Sequence, residues 1–153
     1  MTTPSAIPAG YHTLTPYLVV RDGARAIDFY LAAFGAKELF RLTDKTGKVG
    51  HAELEIGDSR FMLADEFPDF GALAPPTVGG TPVSLHLYVA DVDAAFARAI
   101  AAGATELRAV ADQFYGDRRG VLVDPFGHQW SLATALREVS VEEMQKIWSE
   151  AMQ

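Results

Sequence analysis

The stretch TPYLVVRD at residues 15–22 decides the fold, because a similar stretch, SLHLYVAD, returns at residues 84–91. The same spacing relates FMLA at 61–64 to WSLA at 130–133. We infer a duplicated module whose two copies close into one fold. A cleft is then expected between the copies, with equivalent positions facing each other across it.

Each copy begins with a strand that leads into a helix. Residues 13–21 are apolar and β-branched, and Asp22 stands where a helix N-cap is expected. Apolar residues at one-face spacing follow, and Gly35 supplies a left-handed end to the helix. Asp91 and Gly103 occupy the same places in the second copy.

Three short strand-like runs follow each predicted helix, so each copy is interpreted as a βαβββ module. The runs are predicted at about 37–42, 49–56 and 60–65, then 105–109, 120–123 and 128–133. The prediction is an α+β fold with two tandem modules, at about 14–66 and 83–135, within a single domain over 1–138. A Pro- and Gly-rich linker joins them at 67–82, and an amphipathic C-terminal helix occupies 139–153.

Composition limits the function classes. The chain has 153 residues, no cysteine and a formal net charge of -7. A disulfide framework and a thiolate zinc site are excluded, and no basic cluster indicates a nucleic-acid partner. No stretch reaches the roughly 18 apolar residues of a membrane helix. We therefore expect a cytoplasmic protein with no membrane partner.

Several motifs carry a family resemblance. They are the paired modules, RAIDFY at 25–30, DVDAA at 91–95 and DPFGH at 124–128. Together they resemble the vicinal oxygen chelate superfamily, which includes glyoxalase I, bleomycin-resistance and fosfomycin-resistance proteins and extradiol dioxygenases. The similarity is greatest to its PhnB-like glyoxalase/bleomycin-resistance branch. It implies a cup of curved sheets and a homodimer.

In enzymatic members the resemblance implies metal ligands, usually histidine, glutamine or glutamate, on the first and last strands of each module. Counted from the capping aspartates, the first-strand positions hold Thr15 and Ser84, and counted in the last strands, the other two hold Met62 and Ser131. Such side chains do not supply the three or four ligands that a catalytic divalent metal needs. The prediction is therefore no cofactor; the alternative is a divalent metal such as Ni, Zn or Mn.

Strand alternation gives the candidate site residues. His51, Glu53 and Glu55 alternate with apolar residues and are candidate catalytic groups, although an ordinary solvated face has the same pattern. His86 shares a face with Ser84, as Tyr17 does with Thr15, and a shift of two residues would make His86 a metal ligand. A hydrogen-bonded core histidine is the other interpretation of His86.

The segment DQFYGDRR at 112–119 is predicted to be a loop that closes over the cleft. Tyr115 is suited to stacking on a flat ligand, and Arg118 or Arg119 to pairing with an anion. A solvated turn at Gly116 is the alternative. Asp65 is expected among the charges at the rim.

Two functions remain open. The first is binding of a small organic molecule without a metal, as in bleomycin-resistance-like sequestration. Its predicted ligand-binding residues are Tyr17, His86, Tyr88, Tyr115 and Arg118. The second is a metal-dependent, glyoxalase-type lyase or isomerase acting on an α-hydroxycarbonyl substrate, with a metal bound by His86 and carboxylates.

Overall fold

The computed structural model describes residues 5–152. Predictions that extend to residues 1–4 or 153 lie outside the described residues at those positions. The chain divides into two compact units. One contains the chain up to residue 82 together with 125–127, and the other contains 83–124 and the chain from 128 onward.

The first unit contains a four-stranded sheet and helix α1 (Gly23–Phe34). Its strands are β1 (Tyr17–Val20), β2 (Lys37–Thr43), β3 (Val49–Ile56) and β4 (Ser59–Asp65). The order across the sheet is β1-β4-β3-β2; β1 runs parallel to β4, and the other pairs are antiparallel. This is the predicted βαβββ order.

The second unit repeats the arrangement with helix α3 (Val92–Ala102). Its strands are β5 (Ser84–Tyr88), β6 (Thr105–Asp112), β7 (Asp117–Val123) and β8 (Gln129–Ala135). The order is β5-β8-β7-β6, again with one parallel pair, β5 with β8. The predicted α+β class with two tandem modules is therefore confirmed.

The predicted helix caps are present. The Asp22 carboxylate accepts a hydrogen bond from Arg25 N at 3.2 Å, and that of Asp91 accepts one from Ala94 N at 3.1 Å. These bonds satisfy donors that the first helical turn leaves unpaired. Gly35 then ends α1 in the left-handed conformation, with φ of 66°.

Two segments differ from the sequence prediction. Strand β1 begins only at Tyr17, since Pro16 has no N–H to donate to a ladder. The predicted loop at 112–119 is shorter, because Asp112 ends β6 and β7 already begins at Asp117. Gly116, with φ of 102°, makes the turn between them.

The segment between the modules is partly helical. It contains a 3-10 turn (Pro68–Phe70) and the short helix α2 (Pro75–Val78). At the other end of the chain, helix α4 (Val141–Ala151) is capped by Ser140, whose hydroxyl accepts from Glu143 N. None of the helices in residues 5–152 is long and apolar enough to cross a membrane.

The buried carboxylate of Asp65 ties three elements of the first unit together. It accepts hydrogen bonds from Gly23 N at 2.8 Å and from Val49 N at 2.7 Å, and the residue is only 5% exposed. The expectation that Asp65 is a rim charge is wrong. Asp65 is buried because side chains alternate along a strand, and Asp65 shares a face of β4 with the buried Phe61 and Leu63.

We predict that Asp65→Asn destabilises the protein. An amide offers one acceptor oxygen and turns an NH2 group toward the other backbone N–H, so a buried donor loses its partner. The free energy of unfolding should fall by about 1–3 kcal/mol in urea titrations. Asp28→Asn, on the exposed side of α1, is the control, and equal losses in both variants would contradict the role given to Asp65.

Candidate functional site

The outward side of the first sheet carries the predicted catalytic side chains. In β3, Ala52 and Leu54 are fully buried, while His51, Glu53 and Glu55 point to the other side and are partly exposed. The predicted alternation is therefore present in the structure. Tyr17 lies level with Met62 in the β1–β4 pair, and Glu53 lies level with Met62 in the β3–β4 pair.

Four side chains on this side are linked by hydrogen bonds, and we call them the His51 cluster: Tyr11, Tyr17, His51 and Glu53. The Tyr17 hydroxyl lies 2.8 Å from His51 Nδ1, and His51 Nε2 lies 2.7 Å from Glu53 Oε2. The Tyr11 hydroxyl donates to Glu53 Oε1. A hydroxyl, an imidazole and a carboxylate thus follow one another in a continuous chain.

Glu55 takes no part in this chain. Its carboxylate accepts from Arg60 Nε at 3.0 Å, and the Arg60 guanidinium lies 5.1 Å from the centre of the Tyr11 ring. The ring of Phe40, on β2, lies 5.9 Å from that of His51. The structure therefore brings together two of the three predicted catalytic residues and gives Glu55 an arginine partner.

The second sheet has its own polar group on the corresponding side, which we call the His86 cluster: His86, Tyr88, Asp117, Arg119 and Ser131. His86 Nδ1 lies 2.8 Å from Ser131 Oγ, which also accepts from Arg119 Nε. The Tyr88 hydroxyl donates to Asp117 Oδ2 at 3.0 Å. The rings of His86 and Tyr88 meet edge to face with centroids 4.7 Å apart.

The surroundings of His86 favour its neutral form. Burial lowers the pKa of the imidazole below its ordinary value, the positive charge of Arg119 lowers it further, and the charge of Asp117 opposes the shift. For Tyr88, the hydrogen bond to Asp117 is the main cause that raises the pKa of the phenol. Both side chains therefore stay uncharged at neutral pH.

The hydrogen bonds also indicate the tautomer of His86. Ser131 is buried, and its oxygen already accepts from Arg119, so its hydroxyl proton is free to donate to His86 Nδ1. We assign the ring proton to Nε2 on this basis. Within the described part of the chain, neither Nε2 of His86 nor the terminal nitrogens of Arg119 have a hydrogen-bond partner.

Two predicted ligand-binding residues, Tyr115 and Arg118, lie outside both clusters. Arg118 points to the other side of β7, where its guanidinium binds the carboxylates of Asp93 and Asp112. These bonds raise the pKa of Arg118 and commit its donors. Tyr115 packs edge to face on Phe114, beside α4. It lines a pocket of about 340 Å³ with Phe114, Val141, Met144, Gln145 and Trp148.

Sequence reasoning missed two members of the clusters. The sequence pattern places Asp117 in a loop, and Tyr11 precedes every predicted strand. Because side chains alternate between the two faces of a strand, an earlier start of β7 would have placed Asp117 on the same face as Arg119. Nothing in the sequence near Tyr11 signals its bond to Glu53, because that contact joins residues far apart in the chain.

The positions that hold metal ligands in enzymatic relatives do not fit a metal here. Met62 pairs with Tyr17, and Ser131 pairs with His86, across the two parallel strand pairs. These positions therefore offer one imidazole, and their other groups are hydroxyls and a thioether. Proteins bind Zn and Ni mainly through imidazole and carboxylate ligands, and Mn mainly through carboxylates. Among residues 5–152, no three His, Asp or Glu side chains are arranged to hold a metal ion.

Comparison with known proteins agrees with this architecture. The profile of the Glyoxalase/Bleomycin resistance protein/Dioxygenase superfamily matches residues 11–132. The chain belongs to this superfamily. An uncharacterized protein of Mycobacterium bovis is 50% identical over 139 residues, which are 89% of this chain and 91% of that protein.

Two solved structures illustrate the fold. TioX from a Micromonospora species is 28% identical, with a TM-score of 0.66 over 82% of this chain and 99% of that chain. A PhnB protein from Bacillus cereus has a TM-score of 0.63 at 20% identity, over 81% of this chain and all of that chain. The second likeness concerns the fold alone. Together with the profile match, it agrees with the PhnB-like resemblance.

We predict that His86 titrates below the ordinary histidine pKa of 6.5. Its Cε1–H resonance, followed by NMR against pH, should report the midpoint, and Arg119→Gln should move that midpoint upward by removing a nearby positive charge. The unfolded chain binds the proton more readily, so stability should fall as pH drops from about 6.5 through the His86 pKa. A midpoint at or above 6.5 would contradict the assigned environment.

Proposed function

We propose that this protein binds a small flat organic molecule that carries a carbonyl or carboxylate group, on the outward side of the second sheet. The supporting observation is the His86 cluster, which combines two uncommitted donors with an aromatic ring. Recognition in this proposal uses protein groups alone and needs no metal. Binding without turnover is also what the resemblance implies for bleomycin-resistance-like members.

The donors favour an acceptor group on the ligand. Nε2–H of neutral His86 gives one hydrogen bond, and the terminal nitrogens of Arg119 give a planar pair suited to a carbonyl or carboxylate. Ser131 holds both side chains through one oxygen, so His86 and Arg119 are oriented together before a ligand arrives. Such preorganisation reduces the entropy lost on binding.

The aromatic part of the ligand is expected to lie against Tyr88. This side chain is 60% exposed, and the hydrogen bond to Asp117 fixes its hydroxyl. An exposed ring held in one orientation offers a flat surface at low entropic cost. Asp117 disfavours a second anionic group near Tyr88, so a ligand with one acidic end and one apolar end fits best.

The oligomeric state and the cytoplasmic location stay predictions. A homodimer is expected from the resemblance. The glyoxalase-type alternative would need a metal site, and the donors at the family positions offer little to support one. We therefore propose binding as the single function of the second sheet.

A matched set of probes tests the proposal: benzoate, benzamide and benzylamine, which share one ring and differ in the polar end. Saturation-transfer NMR should show binding of the carboxylate and the amide but not of the ammonium, because Arg119 repels a cation. Arg119→Gln should weaken benzoate binding by about tenfold or more, since a charged hydrogen-bond donor is lost.

His86→Ala should weaken both benzoate and benzamide, and His12→Ala is its control because His12 is exposed and belongs to neither cluster. The proposal fails if benzylamine binds as well as benzoate, or if the Arg119 and His86 variants retain the affinity of the original protein.

A further inference from the structure

We propose that the pocket beside α4 binds a small organic cation that carries a quaternary ammonium group. This pocket lies within the second unit, between α4 and the turn that joins β6 to β7. Its residues are not those of the His86 cluster, so the site does not rest on the ligand proposed above. Three observations support it: the aromatic lining, the charge around the pocket, and the hydrogen bonds that join its two sides.

Three aromatic rings line this pocket, which has a volume of about 340 Å³. The rings of Phe114 and Tyr115 stand at 88° to each other, and the ring of Trp148 lies 6.2 Å from that of Phe114. Rings that stand at different angles can surround one guest. The face of an aromatic ring attracts a cation, and tryptophan attracts it most strongly. The lining is therefore suited to a cation.

The apolar side of α4 supplies most of the lining. Four residues share this side by helical spacing: Val141, Met144, Gln145 and Trp148. None of the α4 side chains is buried, and Val141 and Trp148 are 76% and 53% exposed. This side of the helix is therefore accessible to a ligand and does not form part of the core.

The charge around the pocket favours a cation over an anion. Among the described residues that line it, none is charged. Elsewhere on α4, acidic side chains outnumber Lys146, and they are Glu142, Glu143 and Glu150. These charges lie at the sides and back of the helix, so they set the potential at the pocket without occupying it. The whole chain, with a formal net charge of -7, adds to this negative potential.

Backbone hydrogen bonds join the two sides of the pocket. The turn that carries Phe114 and Tyr115 ends at Gly116, with φ of 102°. The carbonyl oxygen of Gly116 accepts from Leu136 N at 2.9 Å and from Arg137 N at 3.2 Å, shortly before α4 begins. A Cβ added at Gly116 would overlap with Arg137 O, so the contact requires glycine. The rings are thus placed before a ligand arrives, which reduces the entropy cost of binding.

The lining also selects the kind of cation. It offers few hydrogen-bond acceptors, namely the amide of Gln145 and the hydroxyl of Tyr115. A primary ammonium would leave N–H donors without partners on entering, and a buried donor without a partner costs free energy. A quaternary ammonium has no N–H, and its methyl groups pack against apolar rings. The expected ligand class is therefore a quaternary ammonium compound.

Choline and 3,3-dimethylbutan-1-ol test the proposal, because they have nearly the same shape and differ in a charged nitrogen or a neutral carbon. Binding is followed by heteronuclear NMR of the full chain, with the shifts of Phe114, Tyr115 and Trp148 as the readout. Choline should bind about fivefold or more tightly than the alcohol. Ethanolamine, the primary ammonium of the same series, should bind more weakly than choline.

Trp148→Leu separates the attraction between cation and ring from apolar contact. Leucine keeps an apolar side chain, so the affinity for choline should fall by about fivefold or more while that for the alcohol changes less. Phe70→Leu is the matched control, because Phe70 is 87% exposed in the first unit and does not line the pocket. Tyr115→Leu replaces Trp148→Leu if the amide shifts of α4 show that the helix has detached.

Four results would overturn the proposal. They are equal binding of choline and the alcohol, full choline affinity in the folded variant, choline shifts outside the residues that line the pocket, and coverage of the pocket by a second copy. The last would be recognised by sedimentation, as a dimer that Trp148→Leu dissociates, together with no choline shifts in the original protein. Choline shifts confined to the pocket and reduced in Trp148→Leu but not in Phe70→Leu would support it.

Discussion

The carboxylate of Asp65 determines which side chains of the first sheet are buried and which point outward. By accepting from Gly23 N and Val49 N, it fixes the first residue of α1 and the first residue of β3 relative to the end of β4. Strand side chains alternate between faces, so the position of Val49 determines that His51 and Glu53 point outward. A one-residue slip would bury those two side chains and expose Ala52 and Leu54.

In the second unit, a hydroxyl instead of a carboxylate binds the start of the helix to the last strand. Thr134 occupies the place in β8 that Asp65 occupies in β4, and its Oγ1 accepts from Val92 N at 2.9 Å and donates to Val89 O at 2.8 Å. The two modules thus keep a side-chain tether at the start of the helix, although the chemical group differs. A hydroxyl leaves no buried charge, and the second sheet has its own buried carboxylate at Asp117.

The side chains on the outward sides of the two sheets differ more between the modules than the strands and helices do. Tyr17 and His86 are equivalent in the duplicated stretch, yet the first donates to an imidazole and the second is itself an imidazole held by Ser131. One sheet presents a polarised hydroxyl and the other presents two donors. This difference is why we assign ligand binding to the second unit.

The sequence predicted the elements well because their signals are local. Asp22, Gly35 and the alternation in residues 51–56 each act within a few positions, and the structure has them as predicted. The site was harder to predict, since its contacts join distant residues. Arg118 and Arg119 are neighbours of one type, and only the register of β7 decides that Arg119 meets Ser131 while Arg118 meets Asp93.

The most direct test of the central claim is an amide and side-chain chemical-shift map, recorded by heteronuclear NMR during titration with benzoate. If benzoate binds at the His86 cluster, the largest shifts should fall on β5, β7 and β8, at His86, Tyr88, Arg119 and Ser131. Shifts concentrated on Tyr115 and Trp148 beside α4, or no saturable shifts in β5, β7 and β8, would contradict it.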